Sequence, residues 1–130
     1  MTKLADPNSA SLLLVEDDAV FADRLRRNLE LARFNVTLAV EGKNALALMQ
    51  NQTFDLVVTD VKMPGMDGVE LIRQIKVVGV DGVDPDVPVV VLTSVGSVET
   101  AVEAMKYGAS DYIANTFPSA PSNPARLIQR

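Results

Sequence analysis

Carboxylates gather at the ends of two apolar runs in this chain. Leu12-Leu13-Leu14-Val15 is followed by Glu16-Asp17-Asp18, and Leu56-Val57-Val58-Thr59 by Asp60 and then Val61-Lys62-Met63-Pro64-Gly65-Met66-Asp67-Gly68. A charge at the tip of a buried strand is costly unless it has a partner or a cation. If Glu16, Asp17 and Asp60 converge, their mutual repulsion calls for a divalent cation, and an all-oxygen donor set selects magnesium over zinc. A carboxylate beside such an ion can attack phosphorus and form an aspartyl phosphate. The ion and a donor such as the Thr93 hydroxyl would then neutralise charge on the phosphoryl oxygens.

For this chemistry the carboxylates must be brought together, and the pattern of the chain suggests how. Short runs rich in Val and Leu alternate with segments of helical period, the signature of a parallel sheet with crossover helices. Strands are expected over 12–16, 35–39, 56–59, 89–92 and 111–114. Between them Phe21, Leu25, Leu29 and Ala32 share one helix face, and Ala45, Leu48 and Met49 a second. Val69, Ile72 and Ile75 share a third, and Val98, Ala101, Val102 and Met105 a fourth. Asp67 with Glu70 resembles a capping box, Ser97 can cap the fourth helix, and Gly108 can close it in a left-handed conformation. Residues 78–88, rich in Gly, Asp and Pro, read as a loop. In such a sheet ligands bind at the carboxyl ends of the strands. Those ends carry Glu16, Asp17, Asp60, Thr93, Ser94 and Asn115.

Composition narrows the field. The chain has 130 residues, 48% of them apolar, with no cysteine and no histidine. That is enough for one domain with its own core. Disulfides, thiolate zinc sites and histidine catalysis are excluded, and any phosphohistidine must belong to another protein. Seventeen Asp and Glu against twelve Lys and Arg argue against direct contact with nucleic acid. Residues 1–10 read as a disordered polar lead, and no run is long enough to span a bilayer, so a cytoplasmic location is expected. Three prolines between 115 and 124 delay any final helix to about Pro124, which suggests the front piece of a longer protein.

Each residue also has a simpler reading. Asp17 or Asp18 alone can be a helix N-cap, Asp60 or Thr93 a turn residue, Tyr112 a core aromatic, and Met63 and Met66 packing residues. Their joint occurrence at successive strand ends is what favours chemistry.

As a set, Leu14-Val15-Glu16-Asp17-Asp18, the run from Asp60 to Gly68, Val91-Leu92-Thr93-Ser94 and Gly108-Ala109-Ser110-Asp111-Tyr112 resemble the receiver domain of two-component response regulators. The run from Gly96 to Lys106 is similar to receivers that front sigma-54-dependent transcription activators. The resemblance implies a flavodoxin-like (βα)5 three-layer sandwich with a parallel five-stranded sheet of order 2-1-3-4-5, occupying 11–130. It implies that Asp60 is the phosphoacceptor, not the nucleophile of a turnover enzyme. Magnesium would be held by Asp17 and Asp60 directly, by the Lys62 backbone carbonyl, and by Glu16 through water. Thr93 would follow the phosphoryl group, and Tyr112 would change rotamer with it. The implied partners are a sensor histidine kinase and an output domain or downstream partner, a sigma-54-type activator module among the options. A homodimer through the face of the fourth and last helices is also consistent with the family.

The family's Lys-Pro-Phe after the fifth strand is here Asn115-Thr116-Phe117. Loss of the ammonium is expected to cost the phosphorylated state roughly 1–2 kcal/mol. Thr116 is expected to follow a trans bond, since a non-proline cis bond costs about 2.5–4 kcal/mol, and this would displace Phe117. Lys62 is a candidate to supply the lost charge. The alternative reading is an atypical receiver used for protein–protein contact, with impaired switching. A hydrolase of the haloacid-dehalogenase kind would want a carboxylate where Lys62 stands, and a flavin- or nucleotide-binding module would want a glycine-rich phosphate loop after the first strand, which is absent.

Overall fold

The computed structural model describes residues 9–94 and 98–115. Strand and helix alternate: β1 (Ser11–Val15), α1 (Ala19–Leu31), β2 (Asn35–Ala39), α2 (Gly42–Asn51), β3 (Leu56–Asp60), α3 (Gly68–Arg73), β4 (Val89–Ser94), α4 (Val98–Tyr107) and β5 (Asp111–Asn115). The strands pair in parallel in the order β2-β1-β3-β4-β5, the flavodoxin-like arrangement.

Alternation along the central strands sorts the core into two layers. Leu13, Val15, Val57, Val89 and Val91 face α2, α3 and α4, where Ala45, Met49, Val69, Ile72, Ile75 and Ala104 meet them. Leu12, Leu14, Val58 and Leu92 face the other way, against Leu25 and Leu29 of α1. With both faces covered, β1, β3 and β4 read as continuous apolar runs, and the only positions left for charge are their ends.

Several boundaries differ from expectation for identifiable reasons. α1 stops at Leu31, so Ala32 is its exposed C-cap and not part of the buried stripe. On α4 the buried stripe is Ala101 and Ala104, whereas Val102 and Met105 are 46% and 38% exposed. The two alanines let the helix lie close to the core, which turns the larger side chains outward. Asp67 caps α3 by accepting from the Glu70 N–H at 2.9 Å. The capping box is not reciprocal, because the Glu70 carboxylate bonds Arg73 and Gln74 instead.

α3 runs on as a π-helical turn over Gln74–Val78, so the following loop begins at Gly79. Lys76 in that turn donates to the carbonyls of Pro85 (2.8 Å) and Val87 (2.5 Å), tying the loop before β4 to the helix. Gly108, at φ 117°, ends α4, with Ala109 N–H bonding back to Ala104 O at 3.0 Å. The Ser97 cap, the Thr116 peptide bond, Phe117 and the helix from Pro124 fall outside the described residues.

Candidate functional site

Register decides which strand ends meet. Val15 pairs with Thr59 and Asp60 with Leu92, so Glu16 and Asp60 stand side by side at the carboxyl edge of the sheet. The ladder continues one bond past each strand, from Glu16 N–H to Ala39 O (2.9 Å) and from Val61 N–H to Leu92 O (3.2 Å). These bonds hold both acidic backbones in place. Asp17 lies beyond the last bond and is exposed. Asp18 is the N-cap of α1, its Oδ1 accepting from the N–H groups of Val20 and Phe21, both at 3.1 Å. The capping role thus falls to Asp18, which leaves Asp17 with the other two carboxylates. Among the described residues, Glu16, Asp17 and Asp60 present oxygens that all lie within 4.8 Å of one another.

Burial and repulsion govern the charge of this cluster. Glu16 is 4% exposed. Burial, above all, pushes its carboxyl up to about 8; the nearby Asp60 and Asp17 add to this, and the Asp18 N–H bonded to Oε2 at 3.0 Å opposes it. Asp60 is also raised, chiefly by burial, but the N–H groups of Val61 and Lys62 and a hydrogen bond from Glu16 pull it back. Both shifts favour holding one proton at the Glu16–Asp60 pair, where it relieves carboxylates too close to be charged together. A hard divalent cation does the same with more charge, and three carboxylates with no nitrogen or sulfur donor suit magnesium. The donor set fits the ion that the sequence implies.

The segment from Val61 to Gly68 folds back over the site edge. Gly68 N–H donates to Val61 O at 2.8 Å, Gly65 takes φ 73°, and Met63 is buried, as a packing residue should be. Met66 sits against Gly42 at the start of α2, where a Cβ would come within 2.9 Å of its carbonyl oxygen. Lys62 lies at the beginning of this segment with its side chain exposed.

Thr93, 3% exposed, and Ser94 extend β4 past the expected Leu92, pairing with Ala114 and Asn115. The extension brings the backbone of Thr93 to the same sheet edge as Asp60, on the neighbouring strand. Tyr112 is half-buried and packs against the α2–α3–α4 side of the core. The backbone of Asn115 ends β5 at that edge too.

Two residues at the site have no role in the sequence reading. Thr59 is wholly buried, and its Oγ1 donates to the carbonyl oxygen of Asp60 at 2.9 Å. Gly68 has its Cα against the same carbonyl. The available signals were faint: a lone hydroxyl in a Val run, and a glycine in the first turn of a helix where it has poor propensity.

Comparison with known proteins places the chain among similar molecules. Residues 12–125 match the family model of the response regulator receiver domain. The chain is 41% identical over 106 residues to the transcriptional regulatory protein ZraR of Escherichia coli K12, covering 82% of this chain and 23% of that protein. It is 38% identical over 109 residues to the response regulator protein FleR of Pseudomonas aeruginosa, covering 84% and 22%. The crystal structure of the NtrX receiver domain from Brucella abortus superposes with a TM-score of 0.76 at 30% identity, covering 90% of this chain and 91% of that one. The chain spans less than a quarter of the length of those two curated relatives.

Proposed function

Because the chain belongs to the response regulator receiver domain family, we propose that Asp60 accepts a phosphoryl group from the phosphohistidine of a sensor histidine kinase. The observation that carries this reading is the convergence of Glu16, Asp17 and Asp60 within 4.8 Å at the carboxyl edge of the sheet. An ionised Asp60 oxygen forms the bond to phosphorus as the bond from phosphorus to the donor imidazole breaks. The N–H groups of Val61 and Lys62 favour that ionised form. Asp17 and Asp60, the Lys62 carbonyl, and Glu16 through water would hold magnesium, which supplies positive charge against the phosphoryl oxygens. Thr93 donates its hydroxyl to one of those oxygens, and Tyr112 repacks as Thr93 moves. The change is read on the face to which α4 and β5 contribute, the surface for an output partner or a second copy.

On this reading 11–130 is the receiver of a longer cytoplasmic regulator. It is a phosphoacceptor, at most catalysing its own phosphoryl transfer and hydrolysis, and it touches neither nucleic acid nor membrane. Among the described residues no helix is long and apolar enough to cross a bilayer. The output is transcriptional, of the sigma-54-dependent kind that the run through α4 resembles. A second reading rests on the uncharged Asn115 at the end of β5: a receiver that is loaded at Asp60 but switches weakly and serves mainly in protein contact.

Titration with beryllofluoride and magnesium, followed in amide spectra, tests both. Shifts at Glu16, Asp17, Asp60 and Thr93 that spread to α4 and β5 support the first reading. Shifts confined to the site favour the second. No shift in the chain, with Asp60→Asn as control, contradicts acceptor function.

A further inference from the structure

We propose that Thr59 and Gly68 are positioning residues for the acceptor: together they fix the carbonyl group of Asp60 and so aim its carboxylate. This rests on the acceptor reading of Asp60 above. The Thr59 hydroxyl, buried in β3, donates to the Asp60 carbonyl oxygen at 2.9 Å. Gly68 also closes on the same group. A Cβ built on Gly68 overlaps the Asp60 carbonyl oxygen, and it lies 2.9 Å from Val61 Cα and 3.1 Å from the Asp60 carbonyl carbon. These are backbone atoms that cannot swing away. Gly68 N–H also holds the Val61 carbonyl at 2.8 Å.

The need for glycine here is one of space, not torsion. Gly65, Gly79, Gly82 and Gly108 have positive φ, and Gly68 does not. It sits in the first turn of α3, where alanine by itself would be the better helix former. The contact it makes is with the peptide joining Asp60 to Val61. The N–H of that same peptide faces the Asp60 carboxylate and bonds Leu92 O. Moving the peptide therefore moves both the acceptor and one of the donors that orient it. Misplacing a reacting group by about 1 Å costs on the order of a hundredfold in rate.

The test compares the full chain with Thr59→Val, Thr59→Ser and Gly68→Ala, measuring magnesium affinity by calorimetry, acyl phosphate formation with acetyl phosphate, and thermal melting. Thr59→Val keeps the volume and removes the hydroxyl; Thr59→Ser keeps the hydroxyl. Thr59→Ser should stay within about threefold of the parent in both site measurements, while Thr59→Val loses about tenfold. Gly68→Ala should slow acyl phosphate formation on the order of a hundredfold with its helical signal retained. If Gly68→Ala does not fold, the Thr59 pair decides. Variants that melt lower yet match the parent in magnesium affinity and phosphoryl uptake overturn the proposal, as does equal loss in Thr59→Ser and Thr59→Val. Failure of the parent chain itself to take up phosphoryl overturns the acceptor reading first, so the two failures are told apart.

Discussion

Replacing Glu16 by Gln removes the proton that the acidic site holds, and the consequence appears as a change in how stability depends on pH. Unfolded, the carboxyl titrates at its ordinary value of 4.5; folded, burial raises it to about 8. Between those values the folded chain binds more protons than the unfolded one. The contribution is therefore fully present below pH 4.5 and is lost as pH rises through about 8. One proton gives a slope of at most about 1.4 kcal/mol per pH unit, for a ceiling of ~5 kcal/mol over the whole interval. Asp60 shares the proton and Asp17 is open to water, so we expect roughly 2 kcal/mol lost between pH 5.5 and 8. Urea unfolding in EDTA across that range measures it: the parent chain should weaken steadily, and Glu16→Gln should be nearly flat. Saturating magnesium should flatten the slope in the parent, because the ion displaces the proton from the folded site. Parallel pH profiles for the parent and Glu16→Gln would refute the reasoning.

Other outcomes follow from the same structure. Asn115→Lys should favour the switched form of the beryllofluoride complex by roughly 1–2 kcal/mol, seen as larger amide shifts in α4 and β5 at saturation. If the Lys62 side chain makes up for the missing ammonium, Lys62→Ala should slow phosphoryl uptake from acetyl phosphate by about tenfold; undiminished uptake would dismiss that role. Lys76→Met keeps the stem over Gly108 but leaves the Pro85 and Val87 carbonyls without their donor. A loss of about 1–2 kcal/mol in urea unfolding, with magnesium affinity unchanged, is expected. Gly108→Ala, forced to φ 117° with Lys76 Cγ 3.2 Å from the new methyl, should lose about as much.

How much was legible beforehand depended on whether a feature is written in local pattern. The strands announce themselves, because a parallel sheet covered on both faces needs unbroken runs such as Leu12–Val15 and Val89–Leu92, and a charge at their ends stands out. Glu16, Asp17 and Asp60 were visible for that reason, and register then brought them together. The exposed side of α4 does not follow from residue type, because Val102 and Met105 are apolar; only packing reveals that two alanines set the contact. The split between Asp17 and Asp18 depended on which residue the α1 N-terminus would use as its cap. Thr59 and Gly68 act through a backbone carbonyl, and nothing in their residue types points to one.

Intact mass after incubation with magnesium and acetyl phosphate, with peptide mapping, tests the acceptor assignment most directly. A gain of one phosphoryl group, located on Asp60, dependent on magnesium and absent in Asp60→Asn, is the predicted result. An unmodified parent chain under those conditions, or modification that persists in Asp60→Asn, would contradict it.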